Sequence, residues 1–219
     1  RDVLHRIRKK YKVGFEPLRI RDVELNILQL KDLENVLAGK DPFADMANFP
    51  FWVKLWEAAL LLADMVANMP SQPGQTLLEL GAGLGAPGLV AAKKGYKVTL
   101  SDYEKQILDF QRVSAAANGL NDVEFRMIDW RKPPEMPVFD TIIGAEILFR
   151  DDFFKPLLKI FNRFLAPQGT IYIAHNARLH SLPKFLDLAQ KDYQIAVSAR
   201  KITTDEGELT IIINRLKRK

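Results

Sequence analysis

The sequence predicts an α/β fold built on a doubly wound, mostly parallel seven-stranded sheet with an antiparallel last strand. From Gln75 onward, strand patterns alternate with helical patterns, which is typical of a parallel sheet covered by helices on both faces. Several of the strands are continuous apolar runs, as expected for strands that are buried on both faces. The last two runs are joined by the short polar segment 199–208. Such a connection is too short for a parallel crossover, so the final strand should enter antiparallel.

The individual elements follow from the spacing of apolar residues. The predicted strands are Thr76–Leu80, Lys97–Ser101, Val123–Ile128, Thr141–Ala145, Thr170–Ala174, Gln194–Ser198 and Leu209–Ile213. The predicted helices between them are Ala86–Lys94, Glu104–Asn118, Asp152–Leu165 and Leu182–Gln190.

The region before Gln75 has a different character. It contains a strand-like stretch at Arg19–Leu30, a turn at Asp41-Pro42, and a helical apolar pattern at Phe49–Met69. We therefore divide the chain into an N-terminal accessory segment, residues 1–48, and a main domain, residues 49–219.

Composition excludes several classes of protein. The chain has no cysteine, so disulfides, thiolate metal sites and cysteine nucleophiles are ruled out. No apolar run approaches the roughly 20 residues that span a bilayer, and the first residues show no signal-peptide pattern. We expect a cytoplasmic protein with no membrane partner. The net charge of +5 is concentrated at the two ends, which makes nucleic-acid binding an open but not favoured alternative.

The glycine-rich segment after the first strand of the main domain is the most informative part of the chain. Gly81, Gly83, Gly85 and Gly88 lie between a buried strand and a helix, so the main chain can pass close beneath a ligand. This arrangement predicts a Rossmann-like site at the carboxyl ends of the strands. The spacing also fits the dinucleotide pattern G-x-G-x-x-G with Asp102 about 20 residues on, so it does not by itself decide between ligands.

Residues 78–85, Leu-Glu-Leu-Gly-Ala-Gly-Leu-Gly, together with Asp-Trp at 129–130, carry a resemblance to a known family. The chain resembles the seven-strand S-adenosylmethionine-dependent methyltransferases, and among them the lysine methyltransferase group called methyltransferase family 16. Ser-Asp-Tyr at 101–103, Ala-Glu-Ile-Leu-Phe at 145–149 and the helix that follows Trp56 support it. The similarity extends from about Phe51 to Ile213.

The resemblance implies S-adenosylmethionine as cofactor and a set of residues that hold it. The glycine loop would lie under the methionine and ribose portions, and the acid after the second strand of the domain would accept the ribose hydroxyls. The residues implied are Trp56, Glu79, Gly81, Gly83, Asp102, Tyr103, Asp129, Trp130 and Ala145.

The same resemblance places the acceptor chemistry at Glu146 and Phe149. Glu146-Ile147-Leu148-Phe149 is similar to the group's acid-x-x-aromatic signature, although the usual form has Asp first and often Tyr fourth. Glu146 would hold the incoming ammonium and help it to lose a proton, and Phe149 would line the acceptor channel. We expect a protein side chain, lysine, as the acceptor, and we expect no metal.

The sequence is also compatible with other functions. Small-molecule or RNA methylation is compatible with the fold, as is an NAD-binding oxidoreductase or a binding protein that has kept the cofactor fold without catalysis. His175 follows the fifth strand of the domain on the same edge, so a general-base role for it is conceivable.

Overall fold

A computed structural model describes residues 2–32, 51–70, 74–178, 181–204 and 207–219. The strands are β1 (Val13–Ile20), β2 (Val23–Leu30), β3 (Thr76–Glu79), β4 (Lys97–Asp102), β5 (Glu124–Met127), β6 (Phe139–Ala145), β7 (Leu165–Asn176), β8 (Tyr193–Thr204) and β9 (Gly207–Arg218). The helices are α1 (Asp2–Lys10), α2 (Glu57–Asn68), α3 (Ala86–Lys93), α4 (Lys105–Ala117), α5 (Phe154–Phe164) and α6 (Leu182–Ala189), with 3-10 turns at Phe51–Val53 and Asp151–Phe153.

The main sheet has seven strands in the order β5-β4-β3-β6-β7-β9-β8. The pairs from β5 to β7 are parallel, whereas β9 is antiparallel to both of its neighbours. The sequence-based prediction of a mostly parallel sheet with a reversed last strand is therefore confirmed. The chain leaves β3 toward β4 on one side and returns to β6 on the other, which places the switch point of the sheet between β3 and β6.

Two hydrophobic clusters cover the two faces of this sheet. Leu77 and Leu78 are both fully buried, and because successive side chains in a strand point to opposite faces, they enter different clusters. Helices α2, α3 and α4 pack on the face that Leu77 joins. Helices α5 and α6 pack on the other. This double burial is why the strands of the sheet are apolar on both faces.

The N-terminal region contains α1 and a β-hairpin, which corrects the single strand-like stretch predicted at Arg19–Leu30. Strands β1 and β2 pair antiparallel, with the turn at Arg21, whose φ is 54°. The Arg21 guanidinium donates to Asp64 at 2.7 Å, so a contact from α2 stabilises a backbone conformation that periodicity could not reveal. On its far side β2 is held by α4, since the Leu28 amide donates to Ser114 Oγ at 3.0 Å.

Two further boundaries differ from the sequence-based prediction. Helix α2 begins at Glu57, after the 3-10 turn, and not at residue 49. The predicted loop at 199–208 is largely strand, because β8 and β9 continue to pair as far as Thr204 and Gly207. Ile202 and Leu209 face each other there and pack against the cluster that contains Leu77. The predicted Asp41-Pro42 turn and the predicted boundary after residue 48 lie outside the described residues.

Candidate functional site

The glycine loop leaves β3 and enters α3 along three left-handed glycines. Gly81, Gly83 and Gly85 have φ of 59°, 53° and 79°, a region that residues with a Cβ rarely adopt. Pro87 lies in the first turn of α3, where its missing N–H costs nothing. The loop therefore presents bare main chain at the switch point of the sheet.

Neighbouring residues lie close to the glycines of this segment. A Cβ on Gly81 would lie 3.3 Å from the Trp130 indole. One on Gly83 would make an ordinary contact at 3.7 Å with the Cα of Trp52, so at this position the left-handed backbone is what favours glycine. One on Gly88 would lie 2.2 Å from a Leu100 methyl carbon and 2.6 Å from a Glu79 carboxylate oxygen, so it would displace both of these buried side chains.

Glu79 fixes the loop from beneath. Its side chain is 1% exposed, and its Oε2 accepts the Gly88 amide proton at 2.8 Å, which ties the end of β3 to the start of α3. Burial raises the pKa of Glu79 to about 8; the Gly88 hydrogen bond opposes that change, and the charge of Asp102 adds to it. Glu79 is therefore mainly protonated at neutral pH.

Asp102, at the end of β4, faces the loop. Its Oδ2 accepts from the Gly83 amide at 2.9 Å and its Oδ1 from the Tyr103 amide at 2.7 Å. A carboxylate offers about four acceptor positions, so each oxygen keeps one for a ligand. Burial raises the pKa of Asp102 to about 6, against the effect of both amides, which leaves it mainly ionised at neutral pH. Gln111 adds a hydrogen bond to the Gly83 carbonyl at 2.8 Å.

An aromatic series connects the loop to Phe149. Trp130 packs edge-on against Phe153 with ring centroids 5.2 Å apart, and Phe153 packs in the same way against Phe149 at 5.8 Å. Because Trp130 also lies against Gly81, the predicted cofactor loop and the predicted acceptor wall share one continuous aromatic surface. Phe153 was not among the residues predicted from sequence.

Glu146 follows β6 in a strained backbone conformation. Its φ is 55°, which is uncommon for a residue with a Cβ and costs on the order of 1 kcal/mol. Its amide donates to the Ala174 carbonyl at 2.8 Å, and its Oε1 accepts from the Asn176 amide at 2.9 Å. Burial raises the pKa of Glu146 to about 7; the Asn176 hydrogen bond lowers it and the charge of Glu57 raises it.

The other four predicted cofactor residues lie at or just after the ends of strands, or at the start of a helix. Ala145 ends β6 and pairs with Ala174 of β7. Tyr103 is 67% exposed. Asp129 accepts from the Arg131 amide at 2.9 Å within its own turn. Trp56 lies at the start of α2 beneath the ammonium of Lys54.

Sequence reasoning missed Trp52 and Glu57 as neighbours of the site. The Trp52 ring packs on Phe110, and its main chain also covers Gly83. Glu57 acts on Glu146 through its charge although they are distant in sequence. The sequence pointed to both residues only in that they lie in the region, from about Phe51 onward, that resembles the family.

Among the residues that the structure describes, no three His, Asp or Glu side chains are grouped closely enough to hold a metal ion. None of the described helices is both long and apolar enough to cross a membrane.

The chain matches a family model described as lysine methyltransferase over residues 45–192. Protein N-lysine methyltransferase METTL21A of Xenopus tropicalis is 30% identical over 148 residues, which cover 65% of this chain and 68% of that protein. EEF1A lysine methyltransferase 3 of Mus musculus is 30% identical over 162 residues, covering 66% and 69%. Histone-arginine methyltransferase METTL23 of Mus musculus is 35% identical over 111 residues, but the match spans only 48% of this chain and 44% of that protein.

Solved structures share the fold at low sequence identity. Precorrin-6y C5,15-methyltransferase from Geobacter metallireducens superposes with a TM-score of 0.62 at 15% identity, over 76% of this chain and 91% of that one. A TehB-like SAM-dependent methyltransferase from Corynebacterium glutamicum gives a TM-score of 0.58 at 17% identity, over 72% and 88%. These likenesses confirm the Rossmann-like architecture of the sheet.

Proposed function

The chain belongs to the lysine methyltransferase family, and we propose that it methylates the ε-amino group of a lysine in a protein substrate, with S-adenosylmethionine as methyl donor. The family and its relatives make it an S-adenosylmethionine-dependent methyltransferase that acts on protein. The lysine acceptor and the residue roles below are our proposals.

The residues around the glycine loop fit this cofactor. Asp102 has acceptor positions left for two ribose hydroxyls, and the bare main chain at Gly81 and Gly83 lets a ligand approach closely. We assign Tyr103, Asp129 and Trp130 to the adenine side. We assign Trp56, Glu79 and Ala145 to support of the ribose and methionine side.

Glu146 and Phe149 would receive the acceptor. A lysine ammonium has a pKa near 10.4 and must lose a proton before its nitrogen can attack. Glu146, with its pKa near neutrality, would hold the ammonium, and once a proton has left to solvent it would orient the lone pair of the neutral amine before the methyl transfer. Phe149 has no hydroxyl, so it would shape the channel by packing alone and exclude water from the reacting nitrogen.

The donor supplies a methyl group on a sulfonium, so the new N–C bond forms as the S–C bond breaks and S-adenosylhomocysteine leaves. Alignment and exclusion of water are then the main contributions of the protein. Strand β7 holds Glu146 at two points, the backbone amide through the Ala174 carbonyl and the side-chain carboxylate through the Asn176 amide, and this serves that alignment.

The single observation that carries the proposal is the position of Asp102 against the amide of Gly83, at the switch point of the sheet. The test begins with calorimetry against S-adenosylhomocysteine and NADH. We expect binding of the first and none of the second. Labelled S-adenosylmethionine should then transfer methyl groups into protease-sensitive, nuclease-resistant material of a cell lysate, and hydrolysis should yield methyl-lysine.

Variants at two acids make the assignment specific. Glu146→Ala should keep its affinity for S-adenosylhomocysteine and lose turnover, because the cofactor loop is unchanged. Glu124→Gln, on the exposed edge strand β5 and paired with Arg126, is the matched control and should behave as wild type. Methyl-arginine or methyl-histidine in the hydrolysate would overturn the lysine assignment. Unchanged turnover in Glu146→Ala would remove Glu146 from the mechanism.

A further inference from the structure

Lys54, Trp56 and Glu57 lie side by side where the first 3-10 turn leads into α2. The Lys54 ammonium is 4.6 Å from the centre of the Trp56 ring and 3.9 Å from Glu57 Oε1. The side chains of the ion pair are only about one-third exposed, at 33% and 32%. A primary ammonium is thus held between an aromatic face and a carboxylate, which is a favourable arrangement for a cation.

This group borders the edge of the sheet that carries the predicted acceptor residue. Helix α2 contacts β6 and β7, the two strands whose carboxyl ends hold Glu146. Among the described residues, the negative charge of Glu57 raises the pKa of Glu146. The turn that precedes Lys54 also covers the glycine loop through Trp52 and Gly83.

We propose that Trp56 and Glu57 form a binding site for a primary ammonium beside Glu146, which Lys54 fills in the free protein and the acceptor lysine takes over on binding. The inference rests on the proposed function, since it presumes a lysine acceptor. It adds a second carboxylate and an aromatic face to the acceptor site, and it makes Lys54 an internal competitor.

The two contacts of the Lys54 ammonium are weak enough for another ammonium to replace it. A partly exposed ion pair and a cation–π contact each favour the bound cation by about two- to fivefold. Lys54 is therefore held loosely enough for another ammonium to displace it. Glu57 acts on the acceptor both directly and through Glu146, because its negative charge disfavours the ionised form of Glu146. It is a positioning residue as well as a ligand.

The binding test uses n-butylammonium as a probe for the lysine side chain. It is titrated into protein saturated with S-adenosylhomocysteine while the indole ¹⁵N–H signals are followed by NMR, with Trp56→Phe identifying the relevant signal. We expect that signal to shift. Lys54→Met should tighten probe binding about threefold or more, and Glu57→Gln should weaken it by a similar factor.

Matched controls separate this site from general charge effects. Lys105→Met removes a lysine from an ion pair with Asp109 on α4, and it should leave the affinity for the probe unchanged. The uncharged probe n-pentanol should not move the Trp56 signal. An unshifted Trp56 signal with n-butylammonium, or equal affinities in wild type and Lys54→Met, would overturn the proposal.

A pH profile tests the link to Glu146 in a way that a structural role for Glu57 would not mimic. In the lysate assay, loss of the Glu57 charge should lower the pKa of Glu146, so the acid limb of the rate profile should move to lower pH in Glu57→Gln. Glu124→Gln should leave it in place. An unmoved limb in Glu57→Gln would refute the electrostatic part of the proposal. Failure of the proposed function would appear separately, as absent S-adenosylhomocysteine binding or absent methyl transfer.

Discussion

Replacing Glu79 by glutamine should make the free protein more stable at neutral pH. Glu79 is 1% exposed, and burial raises its pKa from 4.5 to about 8. An acid with a raised pKa in the folded state binds a proton more tightly there than in the unfolded chain. Its contribution to stability is complete below the unfolded value and is lost as pH rises toward the folded one.

The size of the stability difference follows from the interval between the unfolded and folded pKa values of Glu79. Between pKa values of 4.5 and about 8, each pH unit removes about 1.4 kcal/mol from the free energy of unfolding. From pH 5 to pH 7.5 the wild type should therefore lose about 3 kcal/mol through Glu79 alone. The amide of Glu79→Gln keeps an oxygen that can accept from the Gly88 amide and has no proton to release, so the variant should lack this loss.

The assay is urea unfolding of wild type and Glu79→Gln at several pH values between 5 and 8, with no cofactor present. The quantity of interest is the difference between the two proteins, because the other buried acids titrate in both. The variant should gain about 3 kcal/mol relative to wild type between pH 5 and pH 7.5. A difference that stays constant with pH, as expected for the exposed control Glu124→Gln, would show that Glu79 is not held protonated and would refute the reasoning.

Three other perturbations have defined outcomes. Gly83→Arg should abolish S-adenosylhomocysteine binding in calorimetry, because its side chain would enter the loop beside Trp52, whereas Gly119→Arg, equally left-handed but in open space, should bind normally. Asp102→Ala should weaken that binding by about tenfold or more, the worth of a charged hydrogen bond, and equal affinity would contradict the ribose role. His175 is fully buried, and burial lowers its pKa from 6.5 to about 4. Wild type should therefore lose up to about 3 kcal/mol relative to His175→Leu as pH falls through that interval in urea unfolding, and parallel curves would exclude the effect.

The sequence anticipated the features that depend on local pattern. Apolar runs located all seven strands of the main sheet, and the short connection before β9 predicted its reversed direction. The glycine spacing predicted the loop, since left-handed backbone at Gly81, Gly83 and Gly85 requires the absence of a Cβ.

Features that depend on distant contacts were not predictable in the same way. The left-handed backbone at Arg21 lies in the turn of the β1–β2 hairpin, and its side chain is bound by Asp64, 43 positions away. In the extension of β8 and β9, Ile202 and Leu209 pack against the hydrophobic cluster that contains Leu77. The polar composition of segment 199–208 gave no indication of this contact. His175 was considered as a base, yet it is fully enclosed, and only burial reveals that.

The residues of the site also divide into those set by a local motif and those brought in by distant parts of the chain. Motif residues such as Glu79 and Asp102 were identifiable because their partners are fixed positions of one strand–loop–helix unit. Glu57 and Phe153 come from other elements, and only the fold brings them near Glu146 and Trp130.

The placement of β9 between β7 and β8 has a consequence for biosynthesis. During translation β8 leaves the ribosome before β9, yet it has no pairing partner until β9 arrives, because β9 alone joins it to the sheet. Until then β7 remains an open edge of the nascent sheet, a hazard for aggregation that chaperones commonly shield. Ribosome-stalled chains that end before residue 207 should accordingly be protease-sensitive at β7, and chains extended past β9 should become resistant.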